Sequence, residues 1–593
     1  MVEWQRGDVH NGDIRLAVFS VGGPDQPVPD DRPTVILIHG WPDSHHLWTH
    51  VAPLLADDFR VIAYDCRGFG DSDHPDGDEP YQLAAMADDF YAVAEAVCPD
   101  EPVHVLAHDW GSVLAWEAVT RPGAEKRVAS FVSVSGPNLD HLGAWARKNL
   151  GNPTPRNVAR ALAQGGSSAY TAFFQAPVLP KLFFRVTGRP AIWREFLHRV
   201  EGTPRANATF QPNLQQDMIS GLRLYRANIR PKLSNPDPRP TSVPVLQVIN
   251  ERDIALRPAI YDDTHHYTDR LWQKRSPTGH WLPLTRPAYL ADVAHEFIAE
   301  RAGTADVESG MLNRLRVYGP TSTLSGKLAV ITGAGSGIGR ETAYALAELG
   351  CELVLADLDV VTAEQTAAEC KAKSAGATAY QLDVSDTAAF TAFAETVQRE
   401  HGTPDIVVNN AGIALAGSAL EATDAQVDRL LNVNLRGVIT GSRVFGKQMV
   451  KRGVGGNIVN IASAAAFTPS RDLGIYSASK AGVLLFSESL RAELAEHRIG
   501  VTAICPGIVD TNIVASTPIA GVDAETEAAQ RDRLDKFYQR RGFTPDKVAR
   551  DIVKALQANK AVAPVTVEAK VGYRIYRFAP WLSRIGARQK VTR

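Results

Sequence analysis

The chain has 593 residues, of which 45% are hydrophobic and 22% charged, an ordinary globular composition that excludes a disordered, collagen-like or fibrous protein. Its 63 Lys and Arg against 66 Asp and Glu leave a net charge of −3, which offers no general attraction to nucleic acid or to an anionic membrane. Five cysteines without C-x-x-C pairs argue against a disulfide framework and against a metal site, and fit a reducing compartment.

The first eleven residues carry Glu3, Arg6 and Asp8 where the apolar part of an export signal would have to begin. Apolar runs such as 34–38 have strand length, far below the ~18 to 20 residues of a bilayer span. A soluble cytoplasmic protein is the expectation. Short β-branched runs at 34–38, 59–64, 103–107, 128–134 and 243–249 alternate with helical text, the grammar of buried parallel strands. Between Pro137 and Pro240 the strand signal disappears, which predicts a helical cap at about 138–240 inserted into a sheet domain spanning 1–302. Residues 303–323 lack a sustained period and read as a linker. A fresh strand at 327–332 then opens a second α/β series over 324–569.

In the first half, Ala107-His-Asp-Trp-Gly111 follows a buried strand and precedes a helix, the small-x-nucleophile-x-small context of a sharp strand-to-helix turn. Asp109 takes the nucleophile position. A carboxylate is ionised at neutral pH and can attack an sp3 carbon directly, forming an alkyl-enzyme ester that water must then cleave. His280, in Gly-His-Trp-Leu-Pro, supplies a base to activate that water, and Asp253 would hold the imidazole. The main-chain N–H groups of Trp41, in His-Gly-Trp-Pro, and of Trp110 would stabilise the oxyanion. The Gly-rich run 65–72 reads as a structural turn beside the site.

Together these residues resemble the α/β-hydrolase superfamily, and within it the epoxide hydrolase and haloalkane dehalogenase branch. The resemblance implies that two cap tyrosines, placed here at Tyr170 and Tyr225, donate hydrogen bonds to an opening epoxide oxygen. Dehalogenases instead cradle halide with Trp and Asn or a second Trp. Trp41 stands where Asn is common in dehalogenases, so epoxide opening is favoured and dehalogenation is the alternative.

In the second half, Thr332-Gly-Ala-Gly-Ser-Gly-Ile-Gly339 joins a strand to a helix. Gly333, Gly337 and Gly339 allow a tight turn and the approach of a pyrophosphate to a helix N-terminus, with Ser336 and Ile338 in the same turn. The next strand ends in Asp357, placed to bond ribose hydroxyls and to repel a 2′-phosphate. NAD(H) is therefore expected over NADP(H), with Arg340 the residue that could reverse the preference. Asp383 and Val384 end the third strand, and Asn410, Ala411 and Gly412 follow the fourth. Both groups would touch the cofactor. Ser463 precedes the helix that carries Tyr476 and Lys480, whose i, i+4 spacing puts both side chains on one face. Lys480 would lower the tyrosine's pKa for proton exchange with an alcohol that Ser463 orients, and Asn434 would support a proton-relay water. Pro506, Gly507 and Thr511 supply the turn on the nicotinamide side.

This set resembles the short-chain dehydrogenase/reductase family, which implies a Rossmann fold, small-molecule substrates and a homo-oligomer through this half. The whole arrangement resembles actinobacterial, including mycobacterial, fusions of an epoxide hydrolase with a short-chain dehydrogenase. It implies a bifunctional enzyme that converts apolar or lipid epoxides to diols and then to hydroxyketones. A reading of one half as a non-catalytic substrate-binding module stays open. The stretch 570–593 has no acid and interleaves aromatics with arginines. It could lie on a membrane surface. The plainer alternatives are an oligomer contact or a surface extension.

Overall fold

The computed structural model describes residues 3–21, 31–268, 270–304, 310–317, 319, 322–373, 376–510, 517–523, 525–531, 533 and 543–587. The chain divides into two compact units, Met1–Thr321 and Ser322–Arg593.

Nine strands form the sheet of the first unit among the described residues. They are β1 Trp4–Asn11, β2 Ile14–Val21, β3 Thr34–Ile38, β4 Arg60–Tyr64, β5 Val103–His108, β6 Val128–Val134, β7 Val245–Asn250, β8 Leu271–Ser276 and β9 Arg316–Val317, in the order β1-β2-β4-β3-β5-β6-β7-β8-β9. The six central strands run parallel, while β1 and β2 form an antiparallel hairpin at one edge. Every residue of β3, β5 and β7 is buried, as expected where helices cover both faces. Six helices fill the interval between β6 and β7: Leu139–Gly151, Pro155–Ser167, Ala169–Gln175, Leu179–Thr187, Pro190–Glu201 and Leu214–Ser234.

The stretch expected as a linker is ordered in part. Helix Gly310–Leu315 buries Leu312 and Leu315, and β9 pairs antiparallel with β8. Three apolar residues, Leu312, Leu315 and Val317, bury enough surface to fold a segment too short to show a period.

The second unit has a seven-stranded parallel sheet in the order β12-β11-β10-β13-β15-β16-β18. Its strands are β10 Leu328–Thr332, β11 Glu352–Asp357, β12 Ala377–Gln381, β13 Ile406–Asn409, β15 Gly456–Ile461, β16 Ile499–Cys505 and β18 Val562–Pro564, while β14 Ala416–Gly417 pairs with β17 Ile519–Ala520. The order reverses between β10 and β13, the switch point where doubly wound sheets open a crevice at the strands' C-terminal ends. The expected tail is also more structured than its sequence suggested. Helix Val567–Phe578 begins before residue 570, buries Ala569 and Gly572, and packs Tyr573 edge-on to Phe467. The helix stops at Ala579, directly before Pro580, and Pro580 opens a second short helix, Pro580–Gly586, as the first residue of which it needs no N–H partner.

Candidate active sites

Asp109 sits between β5 and helix Trp110–Val119 with φ 52° and ψ −125°, a conformation that a residue with a side chain adopts only under strain of about 1–3 kcal/mol. The packing that enforces it is specific. A Cβ at Gly111 would lie 2.4 Å from the His39 carbonyl oxygen, and one at Gly136 would lie 2.2 Å from that of Asp109. Gly40 is equally constrained, since its Cβ would meet Asp109 Oδ2 at 2.4 Å. Only glycine lets the three loops close on the carboxylate.

The Trp41 main-chain N–H donates to Asp109 Oδ2 at 2.8 Å. His280 Nε2 lies 3.5 Å from Asp109 Oδ1, and His280 Nδ1 lies 2.8 Å from Asp253 Oδ2. The other oxygen of Asp253 accepts the N–H groups of Ala255 and Leu256 at 2.8 and 3.0 Å. Burial works against charge on His280, yet Asp253 and Asp109 overcome it and hold the imidazole well above its ordinary pKa. Burial would raise Asp253, but His280 and the two amides keep it below the usual carboxylate range. Asp109, His280 and Asp253 thus form one connected array. His108 and Ser135 steady it by bonding the His280 carbonyl oxygen at 2.9 and 3.3 Å.

The two tyrosines proposed from sequence meet above this array. Their ring centroids are 6.0 Å apart, and Tyr225 packs edge-on to Trp110 at 4.8 Å and to Phe174 at 4.9 Å. Burial, with the charge of Asp109 adding to it, raises both phenol pKa values, so both hydroxyls stay protonated donors. The Trp41 indole N–H is engaged by the Met218 carbonyl oxygen at 3.1 Å. The run 65–72 is built around Asp65, which accepts the amides of His45 and Asp71 at 2.7 and 2.8 Å.

Two acids that sequence reading passed over also face the site. Asp43 is 3% exposed, accepts the Trp281 indole N–H at 3.0 Å, and is pushed up to about 7 by burial, with the Asp109 charge also raising it. Glu201 ends helix Pro190–Glu201, is 5% exposed, and turns its carboxylate toward the main-chain amides of His280 and Trp281. Burial holds it above the ordinary range against the pull of His280. Asp43 follows directly on the His-Gly-Trp-Pro motif; nothing local marked Glu201.

In the second unit, Gly333 and Gly337 have φ of 63° and 53°, conformations that favour glycine. A Cβ at Gly339 would stand 2.0 Å from the Gly333 carbonyl oxygen, so the turn cannot close with any larger residue. Ser336 and Ile338 lie at the start of helix Gly337–Ala347. Asp357 Oδ2 accepts the Gly335 amide at 2.8 Å, which adds Gly335 to the residues picked out by sequence. The Arg340 guanidinium bonds the Gly335 carbonyl oxygen and so closes the same turn. Asn410 bonds the carbonyl oxygens of Thr332 and Gly333 at 3.1 and 2.9 Å, and the Ala411 amide reaches Thr332 Oγ1 at 3.2 Å. Asp383 accepts the amide and the hydroxyl of Ser385 at 2.9 and 2.6 Å, and Val384 is buried. The cradle of glycines at a helix N-terminus, with a carboxylate at the end of β11, fits a dinucleotide.

Lys480 is 3% exposed, donates to the Ile461 carbonyl oxygen at 2.9 Å, and lies 6.0 Å from the centre of the Tyr476 ring. Burial lowers its pKa to about 8. Ser463 accepts the Ala465 amide at 3.2 Å at the end of β15. Asn434 stands in a π-helical turn, Asn432–Arg436, and its side chain bonds both the amide and the carbonyl of Ile413 at 2.8 Å and Ser479 at 3.3 Å. That side chain clamps the strip after Gly412. Pro506 accepts the Ala464 amide at 2.7 Å, and a Cβ at Gly507 would meet Thr566 Oγ1 at 2.2 Å. Glu568 bonds the Ile508 amide at 3.0 Å, tying the C-terminal helix to this turn. Thr511 lies outside the described residues. No cluster of three metal-ligating side chains occurs among the described residues.

Family models match residues 33–287 as an alpha/beta hydrolase fold and residues 327–519 as a short chain dehydrogenase. Over 588 residues the chain is 44% identical to the probable oxidoreductase EphD of Mycobacterium tuberculosis, covering 98% of this chain and 97% of that protein. The chain belongs to the EphD family. This chain joins an α/β-hydrolase unit to a Rossmann-type short-chain dehydrogenase, the two architectures described above. Over 252 residues this chain is also 35% identical to the putative oxidoreductase SadH of M. tuberculosis, covering 42% of this chain and 89% of SadH. A crystal structure of a short chain dehydrogenase/reductase from Burkholderia phymatum in complex with NAD shares 28% identity with this chain. The match covers 44% of this chain and 95% of that one, with a TM-score of 0.40.

Proposed function

We propose that the first unit, residues 1–302, hydrolyses epoxides to vicinal diols and that the second, 324–569, is an NAD-dependent alcohol dehydrogenase or ketoreductase. The observation that carries the hydrolase reading is the placement of Asp109 between the Trp41 N–H and the His280–Asp253 pair, under two protonated tyrosines. Asp109 attacks an epoxide carbon while Tyr170 and Tyr225 donate to the opening oxygen, and an ester forms with Asp109. Esterification removes the Asp109 charge, one of the two that hold His280 protonated, so the imidazole's pKa falls just when a base is needed. His280 gives its proton to the phenolate left where a tyrosine protonated the opening oxygen, then takes one from water, which adds to the ester carbonyl; as the intermediate collapses, the departing oxygen takes that proton back. The N–H groups of Trp41 and Trp110 stabilise the oxyanion, and the diol leaves. The engagement of the Trp41 indole by Met218 supports this reading over dehalogenation, since that N–H is not offered to a halide.

In the second unit Tyr476 exchanges a proton with the alcohol, Lys480 favours the phenolate, and Ser463 holds the substrate oxygen. NAD(H), when bound, supplies or accepts the hydride. Asp357, engaged with Gly335, and Arg340, engaged with the same turn, support NAD over NADP. Two intact sites on one chain suggest that the diol passes from hydrolysis to oxidation.

The test is a His280→Gln variant exposed to a panel of epoxides and digested. A mass increase equal to the epoxide on the peptide containing Asp109, absent in Asp109→Asn, is the expected result. An unmodified peptide during turnover would rule out the covalent route.

A further inference from the structure

We propose that the outer face of the cap docks on an anionic lipid bilayer and admits an epoxide-bearing lipid from it to Asp109; the second clause rests on the hydrolase reading above. Helix Leu179–Thr187 exposes Leu179, Leu182, Phe183 and Val186 at 63%, 49%, 50% and 66%, an i, i+3, i+4, i+7 stripe turned to solvent, while Pro180 and Phe184 are buried on its other side. The next helix, Pro190–Glu201, exposes Ile192, Phe196 and Val200 and buries Leu197 and Glu201. A surface helix in water normally turns its one apolar stripe inward. These two carry an apolar stripe on both sides.

The charge around the stripes is of one sign. Between positions 151 and 200 the only acid is Glu195, and it is taken by Arg199 and Arg205. Arg156, Arg185 and Arg189 are exposed in the same stretch, although the whole chain is slightly acidic. Exposed apolar side chains with surrounding cations complement a surface that is apolar within and anionic at its headgroups. A second copy meets this face less well, because a two-fold contact sets a patch against itself and would bring these cations together.

The face also continues into the site. Phe183 packs on Phe173 at 5.9 Å and on Phe184 at 5.2 Å; Phe184 packs on Trp41 at 5.5 Å, and Phe174 on Tyr225 at 4.9 Å. An acyl chain leaving the bilayer along this line stays against aromatic carbon up to the tyrosines. The second unit offers a surface of the same chemistry. Its helices Val567–Phe578 and Pro580–Gly586 expose Tyr576, Phe578, Trp581 and Ile585, and Lys560, Lys570 and Arg574, with Lys554 paired to Asp551, line a cavity of about 310 Å³ beneath the first of them.

The experiment is flotation of the full chain with vesicles of phosphatidylcholine alone or mixed with phosphatidylglycerol, at low and high salt. The wild type is expected to float with the mixed vesicles at low salt only. Leu182→Asp/Val186→Asp should abolish flotation, and Arg185→Ser should weaken it about fivefold, the effect of one cation near an anionic surface. All variants should hydrolyse a short, water-soluble epoxide at the wild-type rate, which shows that they fold and that the site is intact. Wild-type protein that stays in solution, floats equally with neutral vesicles, or floats undiminished in the double variant overturns the proposal. So does a double variant whose only change is a smaller oligomer by mass photometry, which would make the face a contact between copies. If flotation occurs but no epoxide is hydrolysed, docking stands and the hydrolase reading fails.

Discussion

Glu201 lies directly against Gly279: a Cβ at Gly279 would stand 1.8 Å from Glu201 Oε2. Glu201 belongs to the cap and Gly279 to the loop that carries His280, so the contact fixes the height of the cap over the histidine proposed as the base. Gly279→Ala must push either the carboxyl or the loop aside, and displacement of a catalytic group by about 1 Å can cost on the order of 10²-fold in rate. Epoxide turnover in Gly279→Ala should fall by about 10- to 100-fold, with dehydrogenase activity intact. Combining it with Glu201→Ala should restore most of the loss, because the obstacle is gone. A double variant as slow as the product of the two single effects would show that the residues do not act on each other.

Tyr170 and Tyr225 are both held protonated by burial, and on the proposed route neither hydroxyl is needed once the ring has opened. Replacing either with Phe should slow formation of the Asp109 ester by about 10²-fold, the scale for losing one preorganised donor, and leave ester hydrolysis nearly unchanged. Rapid-quench mass spectrometry separates the two steps. An effect confined to hydrolysis of the ester would remove the tyrosines from the ring-opening role.

What sequence made legible follows from how local each constraint is. The elbow at Asp109 is written in five consecutive residues, because Gly111 must admit the Ile38–His39 backbone and the strand must stop there. The dinucleotide turn is likewise local, and so is the Tyr476–Lys480 pair on one helix face. Glu201 escaped notice because its environment is built by Gly279, distant in sequence, and an acid at a helix C-terminus carries no local signal. The helix at 567–578 was hidden for a related reason. Its inward residues, Ala569 and Gly572, are small, so the aromatics on its exposed side dominate the pattern and suggest an unpacked tail. The same inversion masks the outer stripe of the cap, where an apolar period reads as core whichever way it faces.

Asp357 spends one oxygen on the Gly335 amide at 2.8 Å and the other on the Asp359 amide at 3.1 Å, so its charge is fixed at the mouth of the dinucleotide turn. Asp357→Ser should remove the repulsion toward a 2′-phosphate and loosen the turn together. The ratio of kcat/KM for NAD over that for NADP is expected to fall by about 10²-fold, mostly through loss of the NAD reaction. Steady-state kinetics with both cofactors checks this. A wild type that prefers NADP would overturn the assignment outright.

Asp43 gives the first unit a pH dependence of unusual sign. In the folded chain burial lifts its pKa to about 7 from the ordinary carboxylate value of 3.8, so between those values the folded state holds a proton that the unfolded state has released. Stability is therefore lost as pH rises through that window, and the whole penalty, up to about 4 kcal/mol, persists above it. Asparagine keeps an oxygen for the Trp281 indole N–H and cannot ionise. The unfolding midpoint of the first unit in Asp43→Asn should exceed that of the wild type at about pH 8, with the gap narrowing steadily toward about pH 4, where both side chains are neutral. Calorimetric scans across that range decide it. A gap of constant size would place the effect in packing and leave the titration of Asp43 with no part in it.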